Sequence, residues 1–322
     1  MGKRAWARAL RAQSLASALL ALWFLGVMPA RAEPAATDDR FGAEIAMLRR
    51  VNRVAWPILV AATPRCERLG LTGATIGIAA VNIVSFPPER RAWARTLLNL
   101  GLRPKILFVP ERTPAYDAGI RDGDAIMAVN GAAIAETEDS PADLTRRIKD
   151  AIKIDAPIRL EVSRDGRAIT TPVRSVSVCR LAIQAADSAE IEASFKGERA
   201  VVTSGLARFA ADDGDLGLLL AHAFAHVILE AESPDTSSLR FNNAGSPAVE
   251  RAADTLSLEL AAAAGYPTAR AAELWERLRD ASPAPSRTSM AALHPITPER
   301  LAALRAIAAP VRASQLSPTP TR

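Results

Sequence analysis

Apolar residues recur every three or four positions through the segment 41–62, at Ile45, Leu48, Val51, Val54, Ala55, Ile58 and Leu59. That spacing predicts a helix with one buried face. The texture then changes. ATIGIAAVNIVSF, at 74–86, is rich in β-branched residues and reads as strand. PPERRAWARTLLNL, at 87–100, reads as a helix that starts near its prolines. Residues 103–175 alternate short strands with turn signals: KILFVP, a short helix TPAYDAGI closed by Gly119, AIMAVN, a tight turn at Asn130-Gly131, a helix SPADLTRRIKDA, and a hairpin around Asp165-Gly166. From 176 onward a pair of strands leads into long helical stretches. DDGDLGLLLAHAFAHVILEA opens on acidic residues and is apolar nearly throughout. AVERAADTLSLELAAAAG is stopped at Gly265, TARAAELWERLRDA follows, and TPERLAALRAIAA comes last.

Charge changes the picture only through its location. The 322 residues carry a formal net charge of +5, but Lys3, Arg4, Arg8, Arg11 and Arg31 lie in the first 32 residues with no acid among them. The remainder is close to neutral, which argues against a nucleic-acid groove, since such grooves need clustered cations to displace counterions. The same 32 residues have the layout of a secretory signal: a cationic start, the apolar run SLASALLALWFLGVM, and Ala30-Arg31-Ala32 as a small-x-small cleavage site. The expectation is export to the periplasm or cell envelope with a mature chain from Glu33. An uncleaved N-terminal membrane anchor is the alternative, so membrane contact stays open, with no stable span beyond this segment. In that oxidising setting the only two cysteines, Cys66 and Cys179, are candidates for one disulfide; the alternative is two buried free thiols.

The chemistry concentrates late in the chain. All three histidines, His222, His226 and His294, lie there. His222 and His226 are four apart, so a helix projects both imidazoles from one face. Two such ligands can hold a zinc ion if a third joins them. Glu250, on the next predicted helix, is the candidate third ligand. Asp254 follows one turn later on the same face and could fix the tautomer of a ligating histidine.

The string VPERTPAYDAGIRDGDAIMAVNGAAI, with the helix and hairpin after it, resembles a bacterial PDZ domain. That resemblance implies a groove between a strand and the helix at 141–152 which takes an extended polypeptide by strand addition. Its carboxylate-binding loop is not recognisable from sequence. The strings VVTSGLARFAADDGDLGLLLAHAFAHVILE, ERAADTLSLELAAAAG and LHPITPERLAAL resemble metallopeptidase family 48, the HtpX-like and CAAX-protease-related gluzincins. The resemblance implies a zinc peptidase acting on envelope polypeptides, with HExxH read as His222/His226, ExxxD as Glu250/Asp254, and an HP-x-x-x-x-R string as His294, Pro295 and Arg300. It implies His222, His226 and Glu250 as ligands. His294 is expected chiefly to pack in a loop, with a latch over the metal's open position as the lesser alternative.

One position departs from that pattern. Ala223 stands where the family pattern has the glutamate that moves the proton of zinc-bound water. Loss of a general acid/base typically costs about 10²–10⁴-fold in rate. Glu230 and Glu232 lie too far along the helix to replace it. The expected fold is α+β: a mostly helical zincin-type domain over 33–100 and 176–322, with a PDZ-like, β-rich domain inserted at 101–175. The expected function is a zinc metallopeptidase homologue with impaired or absent hydrolysis. The alternatives are a non-catalytic protein-binding or chaperone module and an active peptidase that uses another base.

Overall fold

A computed structural model describes residues 34–152, 156–196, 199–232, 246–282 and 290–316. The secretory-like segment at 1–32 lies outside the described residues.

The chain opens with helix α1 (Pro34–Arg68), longer than the periodic stretch that predicts it. It runs through Pro57 and Pro64, each of which removes one helical hydrogen bond. The face carrying Val51, Val54, Ile58, Ala62 and Cys66 is buried in the main apolar core, and that burial offsets the loss. Strand β1 (Thr72–Thr75) follows and pairs antiparallel with β8 (Val176–Cys179). Everything between these two strands is an inserted body, and both of its connections to the rest of the chain lie side by side in this ribbon.

The inserted body is a mainly antiparallel sheet in the order β2-β3-β4-β6-β7, from β2 (Ala79–Val81), β3 (Lys105–Phe108), β4 (Ala125–Val129), β6 (Ile158–Arg164) and β7 (Arg167–Val173). The short β5 (Ala132–Ala133) pairs with β4. Helix α2 (Arg91–Leu98) and the single turn α3 (Pro114–Asp117) interrupt the strands, and helix α4 (Ser140–Ala151) packs Leu144 and Ile148 into the same core as Ile76, Ile106, Ile126 and Leu160. Because β2 and Ile76 belong to this core, the PDZ-like body begins upstream of the boundary expected at residue 101. The predicted strand at 74–86 is two strands and a 3-10 turn (Ile83–Ser85), broken at Gly77, whose φ is +77°. A side chain on Gly77 would meet Thr113. Asn82 then ties the end of β2 to the segment before α4, donating to the carbonyls of Thr137 (3.2 Å) and Glu138 (3.1 Å).

After β8 the chain returns to the first core. Strands β9 (Ala182–Ala186), β10 (Ala193–Lys196) and β11 (Arg199–Thr203) form a sheet in the order β10-β11-β9, with β9 and β11 parallel. Thr203 caps helix α5 (Ser204–Phe209) by accepting from the Leu206 N–H. Helix α6 (Asp213–Glu232) is buried on nearly every side, as expected of a helix apolar all round. Its length and composition would suffice to cross a membrane, but 72% of its apolar window is buried inside the fold. Cations hold both of its ends. Arg50 and Arg53 of α1 meet Asp213 at 2.9 and 2.6 Å, Arg277 bonds the fully buried Asp215, and Arg65 meets Glu232 at 3.2 Å. Gly217 lies against the ring of Tyr266, whose hydroxyl donates to the Val54 carbonyl and so links α6 to α1. Helices α7 (Pro247–Ala263), α8 (Ala271–Ala281), α9 (Met290–Leu293) and α10 (Pro298–Leu316) complete the core, with α7 packed along α6.

A disulfide joins Cys66 of α1 to Cys179 at the end of the β1–β8 ribbon, across 113 residues. Closing so long a loop in the unfolded chain is worth about 2–5 kcal/mol. Replacing both cysteines by alanine is expected to lower the free energy of unfolding by that amount in a urea titration. An unchanged midpoint would contradict it.

Candidate metal centre

Helix periodicity delivers two pairs of groups to one interface. His222 and His226 stand one turn apart on α6, and Glu250 and Asp254 stand one turn apart on α7. The packing of α6 on α7 brings the four together, each 1–2% exposed. A third element completes the group. Met290, fully buried, donates its N–H to the Ile191 carbonyl, and the His294 N–H closes on the Met290 carbonyl at 3.0 Å. That short turn turns the His294 ring inward.

The donor atoms converge. Nε2 of His226 lies 3.1 Å from Nε2 of His222, which lies 3.3 Å from Nδ1 of His294. Glu250 Oε1 is 3.0 Å from His294 Nδ1 and 3.6 Å from His226 Nε2, and Oε2 is 3.5 Å from His222 Nε2. Metal–nitrogen bonds of about 2.0–2.1 Å in a tetrahedron imply ligand–ligand edges of about 3.3–3.4 Å. The observed edges fall around that value, and one atom from each of the four residues fits within 4.8 Å of the others. Lone pairs brought this close repel unless a cation or a proton sits among them, so the donor set suits a metal ion. Asp254 Oδ1 lies 3.2 Å from His222 Nδ1, which favours the tautomer that turns Nε2 toward the centre.

Two further side chains enclose the group. Arg300 of α10 holds Asp254 through two 2.8 Å bonds, and Trp275 of α8 sets its ring 4.7 Å from that of His222. Ala223 is itself buried, next to His222 on α6. Glu230 is exposed and Glu232 is paired with Arg65, so among the described residues Glu250 and Asp254 are the carboxylates at the centre. A cavity of about 640 Å³ lies beside α7 but is lined by Arg65, Leu229, Arg251 and Leu256, among others, and by none of the cluster.

His294 lies within the donor group at metal-ligand spacing, the placement that the latch alternative requires. Trp275 carried no sequence signal, because only tertiary packing of α8 puts it there. The pair Cys66 and Cys179 lies away from the centre, at the ribbon.

Without a metal the group settles by internal pairing. Burial opposes a charge on His222, but bonds and charges from Asp254 and Glu250 outweigh it, and its pKa is raised. Burial, reinforced by the positive charges of His222 and His294, pushes His226 down to about 2. Burial also lowers His294. It would raise the two carboxylates, but bonds from His222 and His294 hold Glu250 below the usual range, and bonds from Arg300 and His222 do the same for Asp254. The sign for stability follows. Below the ordinary imidazole value of about 6.5, an unfolded chain protonates His226 and the folded one, with its pKa lowered to about 2, does not; the lowered pKa of His294 acts in the same direction. The unfolded state then binds more protons, so stability is lost as the pH drops, by at most about 1.4 kcal/mol per pH unit for each imidazole. His222 acts in the other direction, and only above that value. The metal-free protein is expected to lose thermal stability steadily between pH 6.5 and 5, and a flat or rising melting temperature across that window would contradict the arrangement.

Comparison with known proteins supports both halves of this organisation. Residues 74–174 match the family described as PDZ domain, which places its start before residue 101. Residues 236–308 match the family described as Peptidase family M48; this span contains Glu250, Asp254, His294 and Arg300 and begins after His222, Ala223 and His226. Among solved structures, the chain is similar to the HtrA3 PDZ domain bound to a phage-derived ligand (FGRWV), at 21% identity and a TM-score of 0.24, over 33% of this chain and 88% of that one. No curated protein matches the chain. The chain thus joins a peptidase family M48 segment to a PDZ domain, a protease-like part and a protein-binding part in one polypeptide.

Proposed function

We propose that this protein holds one zinc ion in a peptidase-type site and binds envelope polypeptides, with hydrolysis impaired or absent. The observation that carries this reading is the convergence of His222, His226, Glu250 and His294 at metal-ligand spacing, beside an alanine at position 223. His222, His226 and Glu250 hold the metal, and Asp254 orients His222. Zinc bound there would supply Lewis-acid polarisation of a carbonyl and a bound water of lowered pKa.

Two features of the chain act against turnover. Ala223 has no group to accept or return a proton. His294 takes the fourth position, where a catalytic site keeps room for water or substrate, and so acts as a latch. A four-ligand site of this kind is the closed type associated with structural zinc.

Polypeptide recognition falls to the PDZ-like body. Strand β2 ends the strand order of its sheet and its Ala80 shares a core with α4, the arrangement that strand addition would use. The neutral body of the chain gives no reason to expect a nucleic-acid partner. Export to the periplasm or envelope is part of the proposal. It is supported by the signal-like first 32 residues and by the Cys66–Cys179 disulfide, a bond that persists in oxidising compartments.

The test is a cleavage assay on an unfolded protein substrate with zinc supplied. The chain as it stands is expected to show no cleavage above background. Ala223→Glu combined with His294→Ala restores the base and opens the fourth position, and is expected to raise the rate by about 10²–10⁴-fold. If the unaltered chain cuts as fast as the double variant, another group serves as base and the reading is wrong.

A further inference from the structure

One cation touches nearly every part of the metal centre without being able to bind the metal. Arg300 is 8% exposed. Its Nε and Nη2 grip the two oxygens of Asp254 at 2.8 Å each, and Asp254 in turn meets Nδ1 of His222. Its Nη1 lies 2.9 Å from Oε2 of Glu250 and donates to the backbone carbonyls of His294 (3.2 Å) and Pro295 (3.3 Å). The guanidinium lies over the indole of Trp275, with Cζ 4.2 Å from the ring centroid. Trp275 also abuts the His222 ring.

We propose that Arg300, clamped on Trp275, is the positioning residue of the centre: it sets which oxygen Glu250 offers and presents His294 as the fourth donor. The inference rests on the metal-binding reading above. Its physical basis is the planar, forked guanidinium. N–H groups in fixed directions meet two carboxylates and two carbonyls at once, and the indole beneath the guanidinium supports it in that place. A lysine ammonium carries the charge but not the fork. Glu250 has two oxygens that could face the imidazoles. Arg300 meets Oε2, which lies 3.2 Å from His294 Nδ1 and 3.5 Å from His222 Nε2, while Oε1 lies 3.0 Å from His294 Nδ1 and 3.6 Å from His226 Nε2, so the grip on Oε2 sets how the carboxylate is divided among the three imidazoles. The carbonyl of His294 is tied to the same guanidinium, so the turn that carries the ring is anchored to the group that aims Glu250. Loss of the fork therefore loosens two donors together, whereas a purely charge-neutralising role would affect neither geometry.

Cobalt(II) added to the full-length, metal-free protein tests this, because its visible absorption reports ligand number and geometry. In the unaltered chain the spectrum should be that of a tetrahedral site with four protein donors, insensitive to azide. His294→Ala should weaken the bands and make them respond to azide through the opened position. Arg300→Met should reproduce that azide-sensitive spectrum and weaken cobalt binding by about 10–100-fold, the usual effect of removing a group that orients a ligand. Arg300→Lys should fall between, with the charge kept and the fork lost. If Arg300→Met, shown to be folded by circular dichroism, keeps the unaltered affinity and spectrum, Arg300 does not position the donors. Should that variant not fold, Arg300→Lys decides in the same way: an unchanged spectrum and affinity overturn the proposal. An unaltered chain that takes up neither cobalt nor zinc overturns the metal reading, and this inference with it. A chain that binds cobalt normally while the Arg300 variants do too removes only the inference.

Discussion

Burying a carboxylate in an apolar helix interface costs several kcal/mol unless a cation or a hydrogen-bond donor meets it there. Glu250 and Asp254 both lie in the α6–α7 interface, and the rest of the centre follows from that constraint. Arg300 meets both carboxylates, His222 meets both from the other side, and His294 meets Glu250. Removing one partner strands another, so these five side chains are coupled rather than independent. The same convergence that satisfies the buried charges also brings four donors to the spacing a metal ion requires. The polar cluster is thus compatible with a folded metal-free chain and poised for a cation.

The surrounding fold serves to hold α6 still. Its acidic first turn, favourable at a helix N-terminus, is held by arginines from α1 and α8, and its last residue is paired with Arg65. Tyr266, packed on Gly217, ties the turn after α7 to α1. The PDZ-like body hangs from this framework by the β1–β8 ribbon, and the Cys66–Cys179 bond fastens that ribbon to α1. Trp56 of α1 adds a bond to the Arg112 carbonyl, and Arg49 meets Asp122 at 3.0 Å. The protein-binding part is therefore joined to the same helix that anchors α6.

Much of the centre could be read before any coordinates, for a local reason. The pairs His222/His226 and Glu250/Asp254 are each set by the repeat of one helix, and a repeat of 3.6 residues is visible in a string of letters. The positions of His294 and Trp275 depend on how α8 and the turn at 290–294 pack against α6, which no local pattern encodes. His294 in particular sits beside a proline in a stretch without periodicity, and so read as a loop residue. The same distinction runs through the fold. The hairpin at Asp165-Gly166 and the long helices follow from local pattern, whereas the parallel pairing of β9 with β11 joins strands separated by β10. Gly77 interrupts the apolar stretch at 74–86, and pairing with β3 is what assigns Ala79–Val81 to the sheet.

The proposed site offers four protein donors to one metal ion and has alanine at position 223. Zinc X-ray absorption on the full-length protein, purified without added metal and quantified for zinc, tests this most directly. The account predicts one zinc per chain, with a first shell of four nitrogen and oxygen atoms at about 2.0–2.1 Å, no sulfur, and the outer scattering of three imidazoles. A chain with no stoichiometric zinc, or a shell with only two imidazoles and bound water, would contradict it.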